Sequence, residues 1–188
     1  MPAHLPSSER LLSPQELVPA ADVGSAPRSP GVYAWWFKQG CLEVPDAPYQ
    51  THHGHQLLYV GISPRKPSAA GKYSKSNLRT RLSTHAIGDA SRSTLRRTLG
   101  LLLAEELGLT LALYARRAHY GSGETLITHW LRANARVSWV VDTMPWEAEV
   151  ELLGGTSLAL NLDGRTDRFA RSISDRRIAA LAAARAAR

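Results

Sequence analysis

A single cysteine, Cys41, stands among the 188 residues, so the chain forms no intrachain disulfide and cannot build a cysteine-based zinc module by itself. Long apolar runs are also missing: no stretch approaches the roughly 20 apolar residues of a membrane span. Met1 to Arg10, with Pro2, Pro6 and Glu9, lacks the apolar core of a signal peptide. These absences point to a cytoplasmic protein without a membrane partner. Acidic residues are the third shortage, with 16 Asp and Glu against 23 Lys and Arg, a net charge of +7 and a pI near 10.0. Most of the cations are Arg, whose planar fork suits bidentate phosphate contact, so nucleic acid becomes the favoured partner class; an acidic protein or a membrane surface would satisfy charge alone.

What is present is ordinary for a folded domain, 44% hydrophobic and 21% charged, and 188 residues suffice for one catalytic unit with appended arms. Residues 1–29 read as an arm, with a short helix starting after Ser13-Pro14, where Glu16 stands at capping-box spacing from Ser13. Residues 30–165 carry the regular elements and 166–188 a basic Arg/Ala helix. Gly31–Phe37 and Gln56–Ile62 are aromatic and β-branched strands around a long Pro/Gly/His loop. Arg65, Lys66, Lys72 and Lys75 lie on the following loop. Asn77 caps a helix in which Arg81 and His85 share a face one turn apart. A second helix over 93–107 buries Leu95, Leu99, Leu102 and Leu103, with Arg92, Arg96 and Arg97 toward its other side. Residues 109–117 are ambiguous and read as a strand, 124–133 as a helix and 136–141 as a strand. Pro145 opens a helix ending at Gly154-Gly155 that bears Glu147, Glu149 and Glu151.

Individually these features say little: Tyr33 or Tyr59 alone fits a half-buried strand residue, and Arg81 a surface cation. Their order is more specific. Gly31-Val32-Tyr33, Tyr59-Val60-Gly61, Asn77-Leu78-Arg79-Thr80-Arg81 with His85, then Glu149, then Leu160-Asn161 twelve positions later, resemble the GIY-YIG nuclease superfamily over about residues 30–163.

The resemblance implies an α+β fold, a small three-stranded antiparallel sheet flanked by helices, that cleaves DNA phosphodiester bonds with one divalent metal, magnesium or manganese. DNA is then the expected partner, with RNA the second. Carried over by position, Glu149 holds the metal, and a hard carboxylate oxygen suits that task. Arg81 neutralises charge developing on the scissile phosphate. Tyr33 activates water, and because a free phenol titrates near 10 it needs a neighbour to take or relay its proton, the place of His85. Tyr59 orients water or phosphate; Gly31, Gly61 and Asn161 support the architecture. Lys72, Lys75, Arg79, Arg92, Arg96 and Arg97 are the expected DNA-binding cations, with Arg116 and Arg117 further phosphate contacts.

Two departures from the compact family pattern stand out. About twenty-five residues separate Tyr33 from Tyr59, with a second insertion before Arg81, and Ile62-Ser63 replaces the frequent lysine after the second motif. Lys72 or Lys75 is the candidate substitute. His52, His53 and His55 with Cys41 have the ligand chemistry of a zinc site, set against the better reading of a polar surface loop. An inactive DNA-binding module of the same fold and a partner-dependent nuclease subunit or toxin are the competing functions.

Overall fold

The computed structural model describes residues 5–67, 71 and 74–187. Its layout follows from strand β2, Gly31–Lys38, along which Tyr33, Trp35 and Phe37 enter one apolar cluster and Val32, Ala34 and Trp36 another. A strand buried on both faces belongs in the middle of a covered sheet. β2 accordingly pairs antiparallel with β4 (His55–Ser63) on one side and β7 (Ala135–Val141) on the other. Two-residue strands, β1 (Val18–Pro19) against β7 and β3 (Thr51–His52) against β4, complete the order β1-β7-β2-β4-β3. The sheet thus has five strands, not three, though the three long ones form its centre.

Helices cover both faces. On the larger cluster lie α2 (Leu78–Ile87), α3 (Thr94–Leu102) and α4 (Gly123–Asn134), through Leu82, Leu95, Leu99, Ile127 and Leu131. On the smaller lie α1 (Ser7–Leu12) and α5 (Pro145–Gly155), through Leu11, Ala148 and Leu152. The last helix, α6 (Arg168–Ala186), packs against α3 and the short hairpin formed by β5 (Ala112–Tyr114) and β6 (Arg117–His119). At three of these helices a side chain satisfies exposed N–H groups of the first turn. Asn77 Oδ1 accepts from Thr80 N at α2, Ser93 Oγ from Arg96 N at α3, and Asp167 from Phe169 N and Ala170 N at α6.

Two expectations need correction. The N-terminal helix runs over Ser7–Leu12 and stops where it was expected to begin, because buried Leu11 anchors it to the smaller cluster and Pro14 bars its continuation. Residues 109–117 are not one strand: Ala115 and Arg116 take left-handed φ angles of 45° and 67° and reverse the chain between β5 and β6.

Candidate active site

Register brings the two triplets together. Tyr33 of β2 stands directly opposite Gly61 of β4, and a β-carbon at Gly61 would collide with the Tyr33 hydroxyl. Only glycine lets that ring lie across the neighbouring strand. Gly31 is constrained too, since its β-carbon would strike the Val140 carbonyl oxygen. Between Trp35 and Trp36 the register shifts, pairing Trp35 with Tyr59 but Trp36 with Leu57. The extra residue, Leu58, makes a bulge, so that consecutive Leu58 and Tyr59 both join the larger cluster, on the side of Tyr33.

Asn161 reinforces this strand from outside. Its Oδ1 accepts from Val60 N at 2.9 Å and its Nδ2 donates to Val60 O at 2.9 Å, while Leu160 N donates to the bulge carbonyl of Leu58. The amide side chain thereby serves as a strand neighbour for backbone groups between Tyr59 and Gly61.

The Tyr33 hydroxyl is where helix α2 meets the sheet. His85 Nε2 lies 2.8 Å from it and Arg81 Nε donates to it at 3.3 Å. Arg81 Nη1 also donates to the Arg92 carbonyl, which fixes the guanidinium at both ends. His85 is fully buried, and its Nδ1 lies 2.7 Å from Ser93 Oγ. Burial first, then Arg81 and Arg96, hold its pKa well below the usual histidine value, so the ring is neutral. Burial also pushes Tyr33 well above the ordinary phenol, as does neighbouring Tyr59, against the lowering effect of Arg81.

These groups open into a cleft of about 700 Å³, which Tyr33, Tyr59, Arg81, Glu149 and Asn161 all line. Glu149 reaches it from α5, the helix on the opposite layer, and half-burial raises its carboxyl pKa despite nearby Arg65. Among the described residues no hydrogen-bond donor or ion-pair partner holds the Glu149 carboxylate. Arg65, Lys66, Arg97 and Arg177 add positive charge to the same walls.

A family model described as the GIY-YIG catalytic domain matches residues 31–181, well over half of the chain. The chain belongs to the GIY-YIG family. No curated protein and no solved structure matches it. GIY-YIG membership gives the reaction class, that of a nuclease, and a nucleic acid as substrate. The matched region begins at Gly31 and ends within α6, so it includes every side chain that lines the cleft.

The expected DNA-binding cations of this GIY-YIG domain separate. Arg92 and Lys75 are exposed, Arg97 lines the cleft, and Arg79 donates through Nε to the Ala26 carbonyl, which ties α2 to the N-terminal segment. Lys72 lies outside the described residues. Arg96 is a correction: it is fully buried, not on the outer side of α3. It forms an ion pair with Glu124 at 2.8 Å and donates to the carbonyls of His85, Ala86 and Glu124 and to Thr128 Oγ1. A guanidinium with all its donors engaged inside the protein has none to offer phosphate.

His52 and His55 face each other across the His53-Gly54 turn, on the smaller-cluster side beside Trp36. Cys41 instead packs against the larger cluster, where burial pushes its thiol up to about 11. Among the described residues no three His, Cys, Asp or Glu side chains converge as metal ligands. No described helix is long and apolar enough to cross a membrane. Ser93, the buried partner of His85, was visible in the sequence only as the start of a helix; no spacing rule links it to His85.

Proposed function

We propose that the chain is an endonuclease that hydrolyses DNA phosphodiester bonds with one divalent metal, magnesium or manganese, at Glu149. The carrying observation is the Tyr33 hydroxyl, held between His85 Nε2 and Arg81 Nε in the cleft that also contains Glu149.

The fit of Glu149 to a metal rests on its surroundings: a partly buried carboxylate, raised in pKa by burial, that faces the cleft and has no hydrogen-bond or ion-pair partner among the described residues. One hard oxygen ligand, with water and phosphate completing the shell, is the arrangement magnesium favours. When bound, the ion supplies Lewis-acid polarisation of a phosphoryl oxygen. Arg81, fixed by Tyr33 and the Arg92 carbonyl, is a preorganised cation for charge that develops on the phosphate, so it lowers the barrier without reorganising.

Hydrogen-bond accounting supports a defined role for His85. Ser93 Oγ already accepts from Arg96 N, and its own hydroxyl proton finds an acceptor in His85 Nδ1. The proton of the neutral ring then sits on Nε2, directed at the Tyr33 oxygen. His85 and Arg81 together give that oxygen two donors, which oppose the effect of burial and stabilise negative charge on it as the phenol releases its own proton to water in the cleft and accepts one from the attacking water. His85 thus acts on Tyr33 as a donor.

The test is nicking of supercoiled DNA by the purified protein with magnesium or manganese. Cleavage should disappear in Glu149→Ala and Tyr33→Phe while both remain folded by circular dichroism. A Glu149→Ala protein that cuts as fast as the parent refutes the proposed site.

A further inference from the structure

Beside the catalytic cleft lies a second, of about 560 Å³, between α3, α6 and the β5–β6 hairpin. Arg97, Arg116, Arg117 and Arg185 line it together with Leu113 and Leu181, and among the described residues no carboxylate does. Arg97 also lines the catalytic cleft, so the two are adjacent and share a cation.

Four arginines from three separate parts of the chain converge here: Arg97 from α3, Arg116 and Arg117 from the hairpin, and Arg185 from the end of α6. Bringing like charges to one concavity is unfavourable until an anion occupies it. The hairpin adds a second observation. Its turn residues, Ala115 and Arg116, both adopt left-handed backbone angles that glycine or asparagine would take at less cost. A two-residue hairpin turn requires those angles at both positions, and this one carries Arg116 to the rim of the cleft beside Arg117.

We propose that this second cleft is a phosphate-binding site that grips the nucleic-acid backbone on one side of the scissile bond. The strand leaves the catalytic cleft past Arg97 and is held by Arg116, Arg117 and Arg185. The proposal rests on the nuclease reading, and it adds a consequence for substrate: binding strengthens when the strand extends beyond the cut toward the hairpin. Contacts of this kind are to phosphate and position the strand without reading bases.

The experiment is fluorescence anisotropy of labelled DNA duplex and single strand over a salt series, with the full chain, its Arg116→Gly/Arg117→Ser variant and Arg185→Ala. Arg116→Gly suits the turn angle, and thermal melting confirms that each variant is folded. The expected result is weaker binding of roughly tenfold or more for the double variant. The slope of log K against log salt should fall by about 0.7 to 0.9 for each phosphate that is no longer neutralised. An oligonucleotide truncated on the hairpin side should bind parent and variants alike. Unchanged affinity and slope in folded variants overturn the proposal and leave the cleft to an acidic protein partner. Because binding is read without cleavage, a parent that binds but never cuts refutes the endonuclease reading alone.

Discussion

Replacing Arg96 by methionine is the sharpest test of how this site is built. The substitution keeps much of the side-chain volume but removes every donor, leaving the carbonyls of His85, Ala86 and Glu124, together with Thr128 Oγ1, short of a partner. Breaking a buried ion pair from one side costs about 3–5 kcal/mol. Glu124 keeps the amides of Ala90 and Tyr120, at 2.9 and 3.0 Å, so it is only partly stranded and the lower end, about 3 kcal/mol, applies. For a chain of this size each kcal/mol moves Tm by roughly 2–4 °C, which gives a fall of about 6–12 °C. Guanidinium unfolding should show the same loss as a lower midpoint with an unchanged slope. Exposed Arg92, changed to alanine, should stay within about 0.5 kcal/mol of the parent. An Arg96→Met protein that melts within about 2 °C of the parent, under 1 kcal/mol, refutes the structural role assigned to Arg96.

Three further outcomes are expected. Glu149→Gln should abolish metal-dependent cleavage yet melt no lower than the parent at neutral pH. A carboxyl whose folded pKa is raised stabilises the fold below its unfolded pKa and loses that contribution as pH rises through the folded value, so removing its charge helps at neutral pH and has no effect once it is protonated in both states. His85→Gln, which can donate but cannot take up a proton, should retain clearly more cleavage than His85→Ala; equal loss in single-turnover rates would mean that His85 accepts the Tyr33 proton. Gly61→Ala should cut at least about a hundredfold more slowly, because the added methyl occupies the place of the Tyr33 hydroxyl, with kcat falling more than KM.

Much of this arrangement was legible in the sequence, for reasons that differ from residue to residue. Arg81 and His85 are one turn apart on a helix whose cap, Asn77, is local, so their common face followed from spacing alone. The gathering of Tyr33, Tyr59, Glu149 and Asn161 around one cleft came from family resemblance, since strand pairing and the approach of α5 are long-range. Arg96 carried a readable signal that charge obscured: three positions before Leu99 and seven before Leu103, it falls on the apolar side of its own helix. Its counter-charge, Glu124, lies twenty-eight residues on and was not deducible. The five-strand sheet was missed because β1 and β3 are two residues each, too short to show any period.

The long insertions now have a physical account. The geometry around Tyr33 depends on register, not on the length of the loops that connect its parts: Tyr33 against Gly61, Trp35 against Tyr59, with the bulge at Leu58 between them and Asn161 clamped on Val60. The segment after β2 returns through the His53-Gly54 turn and pairs β3 with β4, so it leaves and rejoins the sheet at the end far from Gly61. Residues 64–77 join Ser63 to the capped start of α2, where Leu78 N and Arg79 N are already tied to the carbonyls of Ser29 and Pro27. Each insertion therefore hangs between two anchored points. Lengthening a loop whose ends are fixed costs only about 0.6 kcal/mol per doubling, far less than a register slip that would turn Tyr33 onto the opposite face. Length in these loops is free to vary, whereas Gly61 and the bulge are not.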